Sequence, residues 1–281
     1  MYQDINATWP NILRATTEVG TDTGVLYTPP GIKMTEFRPG GGAPSTCTFR
    51  DGILIRRFEL HNRSGGAATV GLGFRFSPAH WKIGRLDAGL TTYTDLTETA
   101  QAKGAITLGV ADADQTGFLV VADQPIGWIS MRCTTAETNA GGGSVVDHTA
   151  KYSAAGNTWV AVSTAASTDD LTTSNAVYAA GMLNFVWQPV RAMVGITNIV
   201  GVPYGWYGIS VIAAQREAGD VAPIITGVEV GTMLQCKALA DNGIYASEAI
   251  EYKSYTSDAV VAYFSTAGAQ NRVYCECKPV G

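Results

Sequence analysis

Few residues in this chain belong to the types that perform acid–base chemistry. The three histidines are His61, His80 and His148, and no G-x-S-x-G elbow, H-E-x-x-H run or phosphate-binding glycine loop accompanies them. Asp147 directly precedes His148, but neighbouring residues of a strand point to opposite faces and cannot form a hydrogen-bonded pair. The sequence therefore predicts no catalytic residues, no cofactor and no enzymatic activity.

Candidate metal ligands are equally sparse. Asp112 and Asp114 lie two residues apart and Asp123 follows, so their oxygens could bind calcium, but the glycine and glutamate of a full calcium loop are missing. The five cysteines lack zinc-like spacing, and their odd number favours buried free thiols. The alternative is a disulfide formed outside the cell, which would join the C-terminal strand to Cys236 or Cys47. We expect no metal site.

Charge argues against a nucleic-acid partner, because the net charge is -5 and phosphate binding requires clustered cations. The nearest approach to a basic patch is the set Arg56, Arg57, Arg63, Arg75, Lys82 and Arg85. On an alternating strand Arg56 and Arg57 point to opposite faces, so we expect one to be solvated and the other paired with an acid. Only 15% of residues are charged, which favours a protein with close neighbours in a large assembly.

The elements that would position any site are predicted strands. Tyr152 and Trp159 flank a turn at Gly156-Asn157, which predicts a hairpin with one aromatic residue on each strand. Residues 181–187 alternate Leu, Phe and Trp with Met, Asn and Val, and a further alternating strand begins at Tyr207. Period-two patterns bounded by glycine or proline predict antiparallel sheet.

This order of motifs resembles a β-sandwich module that recurs in structural proteins of tailed-phage virions. The motifs are Tyr-x-x-x-Gly-x-x-Trp, Ala-Gly-x-Leu-x-Phe-x-Trp-x-Pro and Gly-Val-Pro-Tyr-Gly-Trp-Tyr-Gly-Ile-Ser-Val-Ile within residues 152–212, with leading strands at 93–97, 117–122 and 128–133. The resemblance covers about half of the chain. It departs from the pattern at Gly208, where a bulky residue is more usual. The resemblance implies a virion structural protein of the capsid-decorating or head-stabilising type.

Further strands are predicted on both sides of this region. Residues 46–76 have the pattern of a hairpin with a turn at 62–66, and a short helical turn capped by Thr94 or Asp95 follows. Alternation from residue 225 onward predicts C-terminal strands, of which 259–264 and 273–277 would form a hairpin. The predicted fold is an all-β antiparallel β-sandwich, jelly-roll-like, with an extended N-terminal arm and C-terminal β-hairpins.

Three parts of the chain follow from this pattern. Residues 1–45 form an extended arm, residues 46–222 the β-sandwich, and residues 223–281 the C-terminal strands that pack on the sandwich or on a neighbouring subunit. Proline and glycine punctuate the arm too often for regular structure. Its apolar residues would bind a partner: Trp9, Leu13, Val25, Leu26 and Tyr27. The alternative is that the arm is simply a strand leading into the sandwich.

The chain has neither a signal-peptide pattern at its start nor an apolar run of the roughly 18 residues that a membrane helix needs. We therefore expect synthesis in the host cytoplasm, no membrane partner and a final location in the virion. The partners expected are the major capsid or another virion protein and further copies of the chain, with a trimer favoured. The competing function is a carbohydrate-binding or adhesive module that stacks sugars on Trp81, Trp128, Tyr204, Trp206 and Tyr207.

Overall fold

The computed structural model describes residues 13–19, 33–34, 45–48, 53–86, 93–107, 117–136, 148–162, 164–167, 181–187, 192–213, 223–247, 252–264 and 271–279. The chain divides into two compact units. Unit 1 contains residues 1–74 and 237–281, and unit 2 contains residues 75–236. The three-part division predicted above, with boundaries at residues 45 and 222, stays a prediction.

Strands dominate both units, so the all-β prediction is confirmed. One short α-helix, α1, spans Thr97–Gln101. The strands in chain order are β1 Leu13–Val19, β2 Lys33–Met34, β3 Ser45–Thr48, β4 Ile53–His61, β5 Ala68–Phe76, β6 Trp81–Leu86, β7 Tyr93–Asp95, β8 Ile106–Thr107, β9 Gly117–Ala122, β10 Trp128–Thr135, β11 His148–Ala154, β12 Thr158–Ala161, β13 Thr164–Ser167, β14 Gly181–Trp187, β15 Tyr207–Ala213, β16 Ile224–Leu239, β17 Ile244–Ala246, β18 Tyr252–Ser254, β19 Ser257–Phe264 and β20 Asn271–Pro279.

In unit 1 the two ends of the chain pair with each other. β20 lies between β1 and β4, antiparallel to both, and β17 and β18 pair with the other edge of β4. The expectation that the arm has no regular structure is therefore wrong for Leu13–Val19. The physical reason is that no proline or glycine falls between Pro10 and Gly20, which leaves room for one strand.

The predicted hairpin of residues 46–76 is also wrong, because β4 and β5 belong to different sheets. The loop between β4 and β5 is hydrogen-bonded to the turn at Leu239 and Ala240 and does not form a hairpin turn. The Asn62 amide is fully buried and donates to the carbonyls of Gly66, Leu239 and Ala240 at 2.7, 2.9 and 3.0 Å. Its Oδ1 accepts from the Ser64 N–H at 3.1 Å. These bonds direct the chain from one sheet to the other.

The predicted C-terminal hairpin is also wrong, because its two strands belong to different sheets. β19 lies beside β5 and β3, whereas β20 lies beside β1 and β4. The strands themselves are where the alternation predicts them, but alternation specifies only which face of a strand is buried. It does not specify the neighbouring strand.

Unit 2 is a β-sandwich-like arrangement of two antiparallel sheets. One contains β13, β14, β10 and β16 in that order, and the other contains β12, β11, β15, β9, β6 and β7. The buried side chains of the inner faces form one continuous core. Among the core residues are Ile83, Phe118, Val120, Ile129, Met131, Ala150, Phe185, Trp187, Ile209, Val228 and Val230.

The aromatic hairpin predicted from Tyr152 and Trp159 is confirmed. β11 and β12 pair antiparallel, with Tyr152 opposite Val160 and Ser153 opposite Trp159. The turn needs left-handed backbone at Gly156, φ 73°, and Asn157, φ 56°, which are residue types that accept this conformation.

A second, smaller core lies on the outer face of the β12–β7 sheet. It consists of Leu86, Tyr93, Leu119, Val121, Ile196 and Ile199, with Trp159, Val202 and Trp206 packed against it. Residues 192–206, here named the cover loop, complete this core. A Cβ at Gly208 would lie 2.5 Å from Cδ1 of Ile196 and 3.2 Å from the Trp159 ring, so glycine replaces the usual bulky residue because the loop packs there.

A comparable constraint predicts the effect of a substitution at Gly127. Its missing side chain faces the backbone of Met233 in β16, and an added Cβ would lie 3.0 Å from Cβ of Met233 and closer still to its backbone nitrogen. Backbone cannot rotate away, so we expect Gly127→Ala to lower the free energy of unfolding by about 2 to 3 kcal/mol. Gly66→Ala is the control, because nothing lies within 4 Å of the position of its Cβ. Urea unfolding measures both, and equal effects would contradict the packing argument.

Candidate functional site

The residues predicted to bind a partner through the arm lie almost entirely outside the described part of the chain. Trp9, Val25, Leu26 and Tyr27 are outside it. Leu13 is the first residue of β1 and pairs with Cys277 of β20. The segment from Leu13 to Val19 thus has a neighbour within its own chain, as the alternative interpretation of the arm proposes. A docking role for the other four residues stays a prediction.

A histidine–aspartate pair that the sequence analysis missed lies where β6 begins and β9 ends. Nδ1 of His80 is 2.6 Å from Oδ2 of Asp123, and the Asp123 N–H donates to the His80 carbonyl at 3.2 Å. The pairing of Trp81 with Ala122 places these two residues side by side, although they are 43 residues apart in sequence. The sequence pattern would have indicated this pair only if the register of β6 against β9 had been known.

This pair alone does not form a hydrolytic triad. A triad needs a nucleophilic hydroxyl or thiol on the second ring nitrogen of the histidine. Within the described ranges, no serine or cysteine is hydrogen-bonded to the His80 ring. Both side chains are about one-third exposed, at 32% for His80 and 28% for Asp123. The geometry is that of a structural side-chain pair that links the start of β6 to the end of β9.

A surface groove of about 610 Å³ lies beside this pair, between β6, β7 and α1. Its polar side chains bind one another. Lys82 Nζ is 2.9 Å from Oδ2 of Asp95, the Thr97 N–H donates to Oδ1 of Asp95 at 2.9 Å, and the Gln101 amide donates to the Pro78 carbonyl. The N-cap residue of α1 is Leu96, without a side-chain cap, so the predicted cap at Thr94 or Asp95 is wrong; Asp95 precedes the helix in an Asx-type turn instead. These bonds connect β6, β7 and α1 around the groove.

The pKa of Asp95 gives this cluster a measurable signature. Partial burial pushes that pKa upward, but hydrogen bonds from Thr97 and Lys82 outweigh it and hold the pKa below its ordinary value of 3.8. The carboxylate therefore stabilises the fold at neutral pH, and the contribution is lost as pH falls through the folded-state pKa.

We expect Asp95→Asn to lower stability by less than about 1 kcal/mol at pH 7, because the pair is exposed and solvent screens it. The difference between the variant and the wild type should disappear as the pH falls below about 4 and through the lowered folded-state pKa of Asp95. Urea unfolding at several pH values measures it, with Glu98→Gln, an exposed neighbour in α1, as the control. A difference that persists at the lowest pH would contradict this assignment.

Three of the six candidate basic residues interact with acidic or amide side chains of the same chain. Arg75 Nη1 lies 3.1 Å from Oε1 of Glu229, and Lys82 pairs with Asp95. Arg63 Nη1 donates to Oδ1 of Asn242 at 3.0 Å. The side chains of Arg56 and Arg57 lie outside the described ones, so their predicted opposite orientation stays a prediction.

The cysteines whose side chains are described are buried free thiols. Cys133 and Cys236 both lie in unit 2, and burial raises the pKa of the Cys236 thiol to about 12. The alternative of a disulfide at Cys236 is therefore wrong for this structure. Among the described residues, no group of three or more His, Cys, Asp or Glu side chains could hold a metal ion. Of the three carboxylates weighed as calcium ligands, Asp112 and Asp114 lie outside those residues and Asp123 lies within them.

The aromatic residues proposed to bind sugars fall into three groups by exposure. Trp81 and Trp128 are buried, with 4% and 2% exposure, so these two assignments are wrong. They fill space in unit 2 because β6 and β10 have both faces covered there. Trp206 and Tyr207 are half-buried, and only Tyr204 stands out from the protein with 83% exposure.

The cover loop carries the strongest candidate for a binding surface. Three large apolar side chains project from it: Val194 at 43%, Val200 at 73% and Tyr204 at 83% exposure. Large exposed apolar patches mark interaction sites on soluble proteins, and these three side chains stand on one loop. Residues 192–206 include no charged residue. The loop therefore presents an apolar, uncharged surface.

Backbone hydrogen bonds within the cover loop and to neighbouring strands hold its backbone in place. The N–H of Val194 donates to the carbonyl of Ser153 at 2.8 Å, and the N–H of Ile196 donates to the carbonyl of Trp206 at 2.7 Å. The N–H of Tyr93 donates to the Val200 carbonyl at 3.1 Å. Ile196 and Ile199 are buried beneath the loop. Its exposed side chains are thus displayed on a fixed backbone, which reduces the entropy cost of binding.

The turn of the aromatic hairpin adjoins the cover loop. The Thr197 hydroxyl donates to Oδ1 of Asn157 at 2.8 Å. Residues 155–158 are exposed and, like the loop, include no charged residue. We name residues 155–158 together with 192–206 the loop face. Sequence reasoning noticed Tyr204 as an aromatic residue but had no signal that separated it from the buried aromatics beside it.

No helix in the described ranges is both long and apolar enough to cross a membrane. Comparison with known proteins identifies no relative of this chain: no family model, curated protein or solved structure matches it.

Proposed function

We propose that this protein is a structural component of a phage virion, of the kind that decorates and stabilises a capsid through many repeated contacts. The observation that carries the proposal is the loop face, an exposed apolar surface without charge on a backbone fixed by the core beneath it. Such a surface suits contact with another macromolecule. The motif resemblance described for residues 93–212 supplies the virion context.

The proposed mechanism is multivalent binding. A single contact of modest area is weak, but a subunit held at several points on a symmetric shell gains affinity because each further contact is intramolecular. A low content of charged residues, 15% here, suits subunits that lie against neighbours. On this proposal the shell is stabilised by the sum of many apolar contacts.

Cosedimentation with shells tests the proposal. The purified protein is mixed with empty, expanded shells assembled from the major capsid protein encoded by the same phage genome, and bound protein is quantified after pelleting. We expect saturation at a fixed ratio of protein to capsid subunits, and the protein in purified virions by mass spectrometry. Absence from virions together with no shell binding would overturn the proposal.

A carbohydrate-binding role is a second candidate, favoured by one observation. Tyr204 is 83% exposed and Trp206 is half-buried two residues away, so both could present aromatic faces to a sugar ring. Binding of neutral glycans by the isolated protein on an array, lost on Tyr204→Ala, would favour this role. Shell binding without glycan binding would exclude it.

A further inference from the structure

The turn between β16 and β17 contains the only Asn-Gly pair of the sequence, Asn242-Gly243. The fold favours both residue types at these positions. Asn242 has left-handed backbone, φ 62°, which asparagine accepts more readily than most residues. A Cβ on Gly243 would lie 2.8 Å from the carbonyl oxygen of Ala240 and 3.2 Å from Cβ of Leu239, so glycine fits best. The turn therefore places a side-chain amide next to a backbone nitrogen that no side chain shields.

An asparagine followed by glycine can react with its own backbone. The Gly243 nitrogen, after losing its proton to solvent, attacks Cγ of Asn242, which closes a succinimide ring and releases the side-chain nitrogen as ammonia. Water then opens the ring. Attack of water at one ring carbonyl gives aspartate, and attack at the other gives isoaspartate, in which the main chain runs through the former side chain. In sum, water replaces ammonia and nothing is oxidised or reduced.

The neighbours of the Asn242 side chain favour this attack. Nη1 of Arg63 donates to Oδ1 of Asn242 at 3.0 Å, and Nδ2 of Asn242 donates to Oδ2 of Asp241 at 2.8 Å. The two bonds hold the amide in one orientation. The guanidinium also stabilises the negative charge that develops on Oδ1 as the nitrogen adds to Cγ. All three side chains belong to exposed residues, so water reaches the amide.

We propose that Asn242 is a modification site, at which the folded protein converts its own asparagine to aspartate and isoaspartate with Arg63 stabilising the developing charge. The Gly243 N–H donates to the Ala240 carbonyl at 2.9 Å, so the turn opens before the nitrogen attacks. An exposed turn opens at a lower free-energy cost than a core strand. The inference concerns unit 1 alone and does not depend on shell binding.

The modification affects backbone carbonyls that a buried side chain binds. The Asn62 amide donates to the carbonyls of Leu239 and Ala240, and the Asn62 N–H donates to the Gly243 carbonyl at 2.9 Å. Isoaspartate lengthens the main chain between Ala240 and Gly243 and so displaces these acceptors relative to one another. Aspartate leaves the main-chain length unchanged. We therefore expect the isoaspartyl form to unfold at a lower urea concentration than the unmodified protein, and Asn242→Asp, which represents the aspartyl form, to unfold near the unmodified midpoint.

Ageing of the purified full-length protein in mildly alkaline buffer tests the proposal. Peptide mapping by mass spectrometry quantifies conversion at each asparagine, and an enzymatic isoaspartate assay distinguishes the two products. Asn157 is the internal control, because it is also exposed and left-handed, φ 56°, but is followed by Thr158. The β-branched side chain of that threonine crowds the attacking nitrogen. We expect conversion at Asn242 in the folded protein and at least about tenfold slower conversion at Asn157.

Arg63→Ala tests the contribution of the guanidinium. We expect this variant to slow conversion in the folded protein about three- to tenfold, because one exposed hydrogen bond to developing charge is lost. In urea-unfolded protein the variant and the wild type should convert at the same rate, since nothing then holds Arg63 beside Asn242. Folded protein that stays unmodified while urea-unfolded protein converts would overturn the proposal, because the turn would then protect Asn242. Equal rates for the two folded proteins, or equal conversion at Asn157, would also overturn it.

Discussion

Replacing Trp187 by alanine should lower the free energy of unfolding by about 3 to 5 kcal/mol, as expected for a fully buried tryptophan in a packed core. Trp187 is 1% exposed in the core of unit 2. Its indole Nε1–H donates to the Ile126 carbonyl at 2.8 Å, and its backbone N–H donates to the Gly127 carbonyl at 3.1 Å. The alanine variant creates a cavity and also leaves the Ile126 carbonyl without its indole donor.

Two controls separate these contributions. Trp187→Phe retains most of the apolar volume but removes the indole N–H, so we expect a smaller loss of about 1 to 3 kcal/mol. Trp206→Ala removes a half-buried tryptophan from the cover loop, so we expect it to lower the free energy of unfolding by about 1 to 2 kcal/mol. Urea unfolding followed by circular dichroism measures all three. A loss below about 1 kcal/mol for Trp187→Ala would show that the core does not depend on this side chain.

Asn62→Ala should destabilise the protein by about 3 kcal/mol, because the two N–H groups and Oδ1 of a buried amide all lose hydrogen bonds worth about 1 kcal/mol each. One buried amide donates to three carbonyls, those of Gly66, Leu239 and Ala240, and so joins the loop after β4 to the turn after β16 within unit 1. Alanine supplies none of these bonds. Because the side chain is fully buried, water cannot readily replace it.

Arg63→Ala is the matched control for this variant. Arg63 follows Asn62 in the same loop and is exposed, and its guanidinium donates to the exposed side chain of Asn242. We expect a change within about 0.5 kcal/mol, as for most surface substitutions. Equal losses for Arg63→Ala and Asn62→Ala in urea unfolding would refute the view that the buried amide organises this loop.

The positions of most strands are predictable from the sequence. Residues 181–187 and 207–213 alternate in hydrophobicity and form β14 and β15, and the Gly156-Asn157 turn joins β11 to β12. These features depend on residues close together in sequence, since side-chain alternation and backbone conformation are local properties. Strand β1 shows why a high content of proline and glycine does not exclude regular structure. The residues between Pro10 and Gly20 are enough to form a strand of seven residues.

Strand partners are not predictable in this way. Both expected hairpins, β4 with β5 and β19 with β20, are absent from the described sheets because each strand pairs with distant segments. The same limitation explains the site. His80 and Asp123 meet only through the β6–β9 register, and Tyr204 is exposed whereas Trp81 and Trp128 are buried only because of what packs over each.

The sequence by itself determined the all-β class, the locations of the aromatic strands and the scarcity of charge, since composition and period-two patterning act over a few residues. Only the tertiary structure decided which strands became neighbours, which aromatic side chains were enclosed and that an uncharged loop covers the second core of unit 2. The physical reason is that burial and hydrogen-bond pairing depend on segments brought together from far apart along the chain, as the bonds from Asn62 to Leu239 and Ala240 show.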